Sequence, residues 1–179
     1  MLRFENDELL IRLASESDKE QVWEFRQEFL DEGVGVQGAS ALNKMESYEK
    51  WLEVIKQYSN ADTVPSHLVP STQFVTVRKS DNKIVGMINV RHYLNDFLLL
   101  RGGHIGDCVR LCERNKGYAT SQISLALDYC KTLGIDRVLI TCSEENIASR
   151  RTIEKNGGVL ENVVEHDGVK NLRFWIDNK

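Results

Sequence analysis

The sequence has few of the residues that define disulfide-bonded, fibrous or metal-binding proteins. Of its 179 residues, 2 are proline and 4 are cysteine. The cysteines are too scattered to form a CxxC pair, so we expect reduced, buried thiols, with neither a disulfide framework nor a metal site. They are Cys108, Cys112, Cys130 and Cys142.

The chain also lacks long apolar segments. No run approaches the ~20 apolar residues that span a bilayer. Acidic residues interrupt the amino terminus at Glu5, Asp7 and Glu8, whereas a signal peptide begins with positive charge followed by an uninterrupted apolar stretch. We therefore expect a cytoplasmic protein that does not bind membranes.

An excess of positive charge is missing as well. Lysine and arginine number 23 against 27 aspartates and glutamates, a net charge of -4, which provides no general attraction for nucleic acid or anionic lipid. We expect no nucleic-acid partner, and a cationic substrate fits better. With 41% hydrophobic and 28% charged residues, the composition is that of an ordinary globule, and the length suits one domain over residues 1–179.

In the first third of the chain, residue spacing predicts a strand and two helices. A strand is expected at 9–12, followed by a helix at 18–30 that Ser17 and Glu20 cap. The glycine-rich segment 31–40 predicts a flexible loop that is free to move over a substrate. A second helix, capped by Asn43, follows this loop.

Strands predominate in the rest of the chain. We predict strands at 74–77, 84–90, 102–110, 137–141, 159–164 and 172–176, and helices at 120–133 and 146–156. Counting one further strand in the middle of the chain, the expected order is βααββββαβαββ, with one strand fewer in the hairpin region as the alternative.

The turn at residues 114–119, RNKGYA, lies between a predicted strand and a predicted helix and fits the pattern [QR]xxGx[GA]. Backbone N–H groups at a helix start are unpaired and lie at the positive end of the helix dipole, so they bind a pyrophosphate. Gly117 lets the backbone approach the anion, and Ala119 avoids crowding it. Arg114 and Lys116 are expected to add direct charge.

This turn and its surroundings resemble the GNAT superfamily of acyl-CoA-dependent N-acyltransferases. The resemblance extends from Arg12 to Trp175 and is carried by the segments GGHIGDCVRLCERNKGYAT and NIASRRTIEKNGG, closest to members with a GGHIG strand and an EKNGG helix end. It implies one α/β (α+β) domain with a central mixed, mostly antiparallel, splayed sheet flanked by helices. It also implies acetyl-CoA as co-substrate and leaves a homodimer open.

The resemblance also implies the residues that bind the cofactor. They are Val109, Arg114, Asn115, Lys116, Gly117, Tyr118, Ala119, Thr120, Asn146 and Ser149. In this comparison Val109 holds the pantetheine, and the N–H of Asp107 faces the thioester carbonyl. Asn146 contacts the pantetheine or its water, Ser149 packs beside it, and Arg150 or Arg151 reaches the 3′-phosphate.

The sequence departs from the family at two catalytic positions. Ile153 stands where many members have a tyrosine that protonates the leaving thiolate, and Gly103 stands where some have a glutamate base. Tyr118 and Ser149 are candidate replacements for the tyrosine. A thiolate with a pKa near ~8.5 is also a tolerable leaving group without them.

Asp107 is the candidate catalytic residue, as a base or as the ligand of the amine. Strand alternation places it on the same face as Val109, with His104 and Cys108 on the opposite face. Its alternative role is a structural hydrogen bond within the strand.

We therefore predict transfer of an acetyl group from acetyl-CoA to a primary amine, on a small molecule or a peptide, by direct attack. A catalytically silent acyl-CoA-binding module is the alternative. A nucleotide-binding domain ranks lower, because the sequence contains neither GxxxxGK[ST] nor GxGxxG.

Overall fold

The structure, a computed structural model, describes residues 2–179 and contains two antiparallel sheets. The larger sheet has five strands in the spatial order β1 (Arg3–Glu5), β2 (Leu9–Leu13), β3 (Ser71–Arg78), β4 (Lys83–Arg91) and β5 (Ile105–Val109). The smaller sheet has three strands in the order β6 (Arg137–Ser143), β8 (Val169–Asp177) and β7 (Val159–His166).

Helices cover both faces of the larger sheet. Helices α1 (Lys19–Asp31) and α2 (Tyr48–Tyr58) lie on one face and α4 (Tyr118–Thr132) lies on the other. Helix α5 (Ile147–Lys155) contacts α4 and β6, and the short helix α3 (Asp96–Leu100) precedes β5. Met87 of β4 packs with α1 and α2 in one buried cluster, whereas the next residue, Ile88, packs with α4 in the other. This alternation buries β3 and β4 along nearly their whole length, because each face has its own helical layer.

The two sheets separate beside β5. Strand β5 pairs with β4 along its length. Within residues 2–179, one isolated bridge joins Gly103, two residues before β5, to Ile140 of β6. At that bridge the two backbones are in close contact: a Cβ on Gly103 would lie 2.3 Å from the carbonyl oxygen of Leu139. Beyond the bridge a gap opens, and it exposes the edge of β5 that faces away from β4.

The predicted fold class is confirmed: helices flank a mostly antiparallel, splayed sheet. The strands and long helices lie at the predicted places within a few residues. The element order differs from the prediction at the start of the chain, which has the additional strand β1. Between α2 and α4 the described residues form three strands, which is the alternative with one strand fewer. Residues 96–100 form the short helix α3, which Asn95 caps by accepting a hydrogen bond from the N–H of Leu98.

Both predicted helix caps were wrong. Before α1, Asp18 accepts hydrogen bonds from the Ser15 N–H at 2.8 Å and from Arg12 at 2.7 Å, and this ion pair positions the chain where Ser17 and Glu20 were expected to act. The start of α2 is capped by Ser47, because residues 42–44 form a separate 3₁₀ turn.

The glycine-rich loop between α1 and α2 is more closely packed in its second half than a freely flexible loop would be. Val36 and Ala39 are buried, and Trp51 of α2 donates a hydrogen bond to the Ala39 carbonyl at 2.9 Å. None of the described helices is both long and apolar enough to cross a bilayer.

Candidate active site

The turn between β5 and α4 leaves backbone donors free at a helix start. Gly117 is the N-cap of α4, with φ = 86°, and no side chain caps the helix there. Nothing lies within 4 Å of a Cβ built on Gly117, so this backbone angle, and not crowding, is what favours glycine. The first N–H that bonds within the helix is that of Ser121, to the Gly117 carbonyl at 3.1 Å. The N–H groups of residues 118–120 therefore lack intrahelical acceptors and suit an anion.

The structure gathers ten of the eleven predicted site residues around one cleft. The cleft has a volume of about 500 Å³. The ten predicted residues that line it are Asp107, Val109, Arg114, Asn115, Gly117, Tyr118, Ala119, Thr120, Asn146 and Ser149. It runs from the free N–H groups of α4, along the open edge of β5, to the start of α5. A volume of this size is in the range of small-molecule and cofactor sites.

The side chain of Lys116, the eleventh predicted residue, binds a carboxylate and does not line the cleft. Its Nζ lies 2.7 Å from Oε2 of Glu113, a buried carboxylate that also binds Arg78 at 2.8 Å. The hydrogen bond from Lys116, followed by that from Arg78, lowers the pKa of Glu113 to about 2 against the cost of burial. The direct phosphate contact expected of the Lys116 side chain is therefore not present in this geometry.

Helix α5 contributes two cations to the cleft, of which Lys155 was not predicted. Arg151 and Lys155 line the cleft, whereas Arg150 points away and pairs with Glu154 at 2.9 Å. Their spacing was a usable signal, because Ala148, Arg151 and Lys155 lie three and four residues apart and so share one helix face. Between the two arginines proposed for the 3′-phosphate, the structure places only Arg151 at the cleft.

The edge of β5 directs alternate N–H groups into the gap. The N–H of Arg91 donates to the His104 carbonyl at 2.8 Å, and the register between β4 and β5 is constant from there on. Hydrogen-bonded and non-bonded pairs alternate along an antiparallel ladder. The even-numbered residues of β5 therefore bond to β4, and the N–H groups of Asp107 and Val109 point away from it. This is the orientation that the resemblance requires of both residues.

Asp107 combines exposure to the cleft with a poorly solvated carboxylate. Burial raises its pKa to about 6, and a hydrogen bond of 2.8 Å from Gln122 Nε2 to Oδ2 partly offsets this rise. A carboxylate that titrates near neutral pH suits general-base work. We did not predict a role for Gln122. Its sequence position was a usable signal, because it lies on the same face of α4 as Ala119 and Ala126, where a polar residue in the core needs a partner.

The residues on the opposite face of β5 do not reach the cleft. Nδ1 of His104 accepts a hydrogen bond from the Leu139 N–H at 2.9 Å, and burial followed by the charge of Arg91 lowers the pKa of His104 to about 4. Cys108 packs with α1 and α2, and burial raises the pKa of its thiol.

The structure gives physical reasons for the two departures from the family. A glutamate side chain has no room at Gly103, because its Cβ would collide with the Leu139 carbonyl. Ile153 is wholly buried in the core below α4. Both replacement donors line the cleft. Tyr118 is buried and its hydroxyl accepts a hydrogen bond from Arg78 at 3.2 Å, whereas Ser149 is partly exposed.

A second and larger groove, of about 990 Å³, lies between α2 and the end of β2. It shares no residue with the phosphate turn or with α5. Apolar side chains such as Leu13, Leu52 and Ile55 line it. We assign the site to the smaller cleft, because the free N–H groups and the shifted carboxylate occur there.

The comparisons with known proteins agree with this fold. A family model described as an acetyltransferase (GNAT) domain matches residues 8–159. A GNAT-family acetyltransferase from Bacillus anthracis superposes with a TM-score of 0.66 at 23% identity, covering 99% of this chain and 99% of that chain.

Two further solved structures are similar. A ribosomal-protein-S5-alanine acetyltransferase from Vibrio fischeri has a TM-score of 0.70 at 15% identity, covering 99% of this chain and 97% of that one. Mycobacterium smegmatis RimJ in complex with CoA-disulfide has a TM-score of 0.66 at 20% identity, covering 94% and 81%. At such identities the similarity establishes the fold. No curated protein matches the chain.

Proposed function

The chain belongs to the acetyltransferase (GNAT) domain family, and we propose that it transfers an acetyl group from acetyl-CoA to a primary amine by direct attack. The observation that carries the proposal is the continuity of the cleft. One cavity joins a helix start with free N–H groups to the carboxylate of Asp107, whose pKa burial raises to about 6. We further propose that residues 1–179 act as one catalytic domain.

The donor groups around the cleft fit coenzyme A. We assign the pyrophosphate to the N–H groups of residues 118–120 and the 3′-phosphate to Arg151 and Lys155. The pantetheine extends along the open edge of β5 at Val109, opposite Asn146. That the similar M. smegmatis protein binds a coenzyme A disulfide supports this assignment.

Asp107 has two roles in the proposed reaction. Its backbone N–H, which points into the gap, donates to the thioester oxygen as negative charge develops there. Its carboxylate takes a proton from the attacking amine. The acetyl thioester supplies the electrophilic carbon: the new C–N bond forms, the C–S bond breaks, and the thiolate takes a proton from water. The hydroxide that this leaves takes the proton that Asp107 received from the amine, so the carboxylate is regenerated.

Direct attack also fits the position of the only cysteine on β5. Cys108 faces away from the cleft, so an acyl group could reach its thiol only if β5 rotated to expose its opposite face. The acceptor is a small-molecule or peptide amine, which the negative charge of the chain favours over an anionic acceptor.

The test is to measure coenzyme A release from acetyl-CoA with a broad panel of amines, alongside calorimetric binding of acetyl-CoA. We expect binding together with turnover of at least one amine. Tight binding without turnover of any amine would favour the silent acyl-CoA-binding module, and the absence of binding would refute both functions.

A further inference from the structure

Gln122 has no solvent exposure, although it is a polar residue one turn into α4. A buried amide costs free energy unless all of its polar atoms find partners. The hydrogen bonds that satisfy this amide extend from β3 to the candidate catalytic carboxylate.

Each polar atom of the Gln122 amide has a partner. The Nε2 group donates to Oδ2 of Asp107 at 2.8 Å and to the carbonyl oxygen of Cys108 at 3.3 Å. On the other side, Oε1 accepts the hydroxyl of Thr76 at 2.7 Å. These contacts use both N–H donors of the amide.

The partners also determine which way the amide points. In the reverse orientation, Oε1 would face a carboxylate and a carbonyl, which are both acceptors, so these two groups select the orientation in which Nε2 faces Asp107. The Thr76 hydroxyl, by donating to Oε1 on the other side, holds the amide in that orientation. The two residues come from different elements, β3 and α4, so the arrangement depends on their packing.

Gly86 of β4 provides the space for this amide. A Cβ at this position would lie 2.5 Å from Oε1 of Gln122 and 2.9 Å from the carbonyl oxygen of Cys108. The backbone of β4 thus approaches the amide more closely than any side chain permits.

We propose that Gln122 is a positioning residue, which Thr76 orients and which holds Oδ2 of Asp107 so that Oδ1 of the ionised carboxylate faces the acceptor amine. The inference rests on the proposed function of Asp107. An N–H donor stabilises the charged form of a carboxylate over the neutral form. Loss of the donor therefore leaves Asp107 protonated over a wider pH range and less able to accept a proton.

The experiment compares two variants with a matched control. Gln122→Met removes the amide at similar volume, and Thr76→Val removes only the group that orients it. Thr72→Val removes another buried hydroxyl of β3, which bonds to Tyr129 and not to Gln122, so it should leave Asp107 unaffected. The Asp107 carboxyl is titrated by NMR with ¹³C-labelled aspartate, which needs no acceptor.

We expect the titration midpoint of Asp107 to rise by about one pH unit in Gln122→Met. It should rise by less in Thr76→Val and stay unchanged in Thr72→Val. With an amine found in the panel, the pH below which kcat/KM falls should rise as well, while the Kd of coenzyme A stays constant. If Gln122 were purely structural, its loss would lower stability without changing that pH.

The outcomes separate this inference from the proposed function. An unchanged midpoint in both Gln122→Met and Thr76→Val would overturn the inference, whether or not the wild type turns over an amine. If Gln122→Met does not fold, Thr76→Val decides the question alone. A wild type that turns over no amine would overturn the proposed function, and with it the positioning role, even if the midpoint moved.

Discussion

The two ends of the cleft are built in different ways. At the phosphate end, the donors are main-chain N–H groups of three consecutive residues, and they depend on one turn at Gly117. At the amine end, the working group is the side chain of Asp107, whose setting depends on Gln122 from α4 and Thr76 from β3. Substitutions at the first end should therefore change cofactor affinity, and those at the second should change the rate.

The largest effect is expected at Asp107. Because Asn cannot accept the proton, Asp107→Asn should lower kcat by about 10²- to 10⁴-fold with little change in the Kd of coenzyme A. In the wild type, kcat/KM should fall as pH drops below about 6, where the Asp107 carboxylate is protonated. Steady-state kinetics from pH 5 to 9 measure both effects.

The control for this change is Asp128→Asn, which neutralises an exposed aspartate of α4 far along the helix from the turn. It should leave kcat and the pH profile unchanged. Equal loss in the two variants would mean that Asp107 has no special role, and a large loss of coenzyme A affinity in Asp107→Asn would contradict the division of the cleft.

A smaller effect, on affinity, is expected at Gly117. This residue and Gly134, at the opposite end of α4, have φ of 86° and 72°, and in both cases nothing lies within 4 Å of an added Cβ. Alanine should cost about 1–2 kcal/mol of stability at either position. Only Gly117→Ala should also shift the free N–H groups and weaken coenzyme A binding by roughly tenfold.

Calorimetric titration with coenzyme A, together with thermal unfolding, measures this pair of variants. If both variants lose similar stability but only Gly117→Ala loses affinity for coenzyme A, the result supports the assignment of the pyrophosphate to this turn. If Gly134→Ala weakens binding as much as Gly117→Ala does, the turn is not the phosphate site.

The smallest effect is expected on α5. Arg151→Gln should weaken coenzyme A binding by about two- to fivefold, since an exposed ion pair contributes up to about 1 kcal/mol, and the loss should shrink at high salt. Dephospho-coenzyme A, which lacks the 3′-phosphate, should bind both forms equally. Arg150→Gln is the control, because Arg150 pairs with Glu154 outside the cleft. If Arg150→Gln weakened coenzyme A binding as much as Arg151→Gln, the assignment of the 3′-phosphate to Arg151 would be wrong.

Some side-chain geometry was beyond prediction from local patterns. Lys116 was expected at the phosphate because it lies in the turn, but the buried carboxylate of Glu113, which also binds Arg78 of β3, attracts its ammonium. Gly103 was treated as a substitution for glutamate, whereas the close approach of Leu139 from another sheet excludes any side chain there. Arg78, which holds Glu113, and Leu139, which contacts Gly103, are both distant in sequence from the residues whose environment they determine.

The sequence alone determined the features that depend on neighbouring residues. The turn at 114–119, the helix that follows it and the alternation of β5 arise from backbone preferences of consecutive residues, and each lies within a few residues of its predicted place. Tertiary structure decided the environment of Asp107. Its hydrogen bond joins residues 15 apart in the chain, and the bond that orients Gln122 joins residues 46 apart. No local pattern encodes such contacts, because they exist only once β3, β5 and α4 pack together.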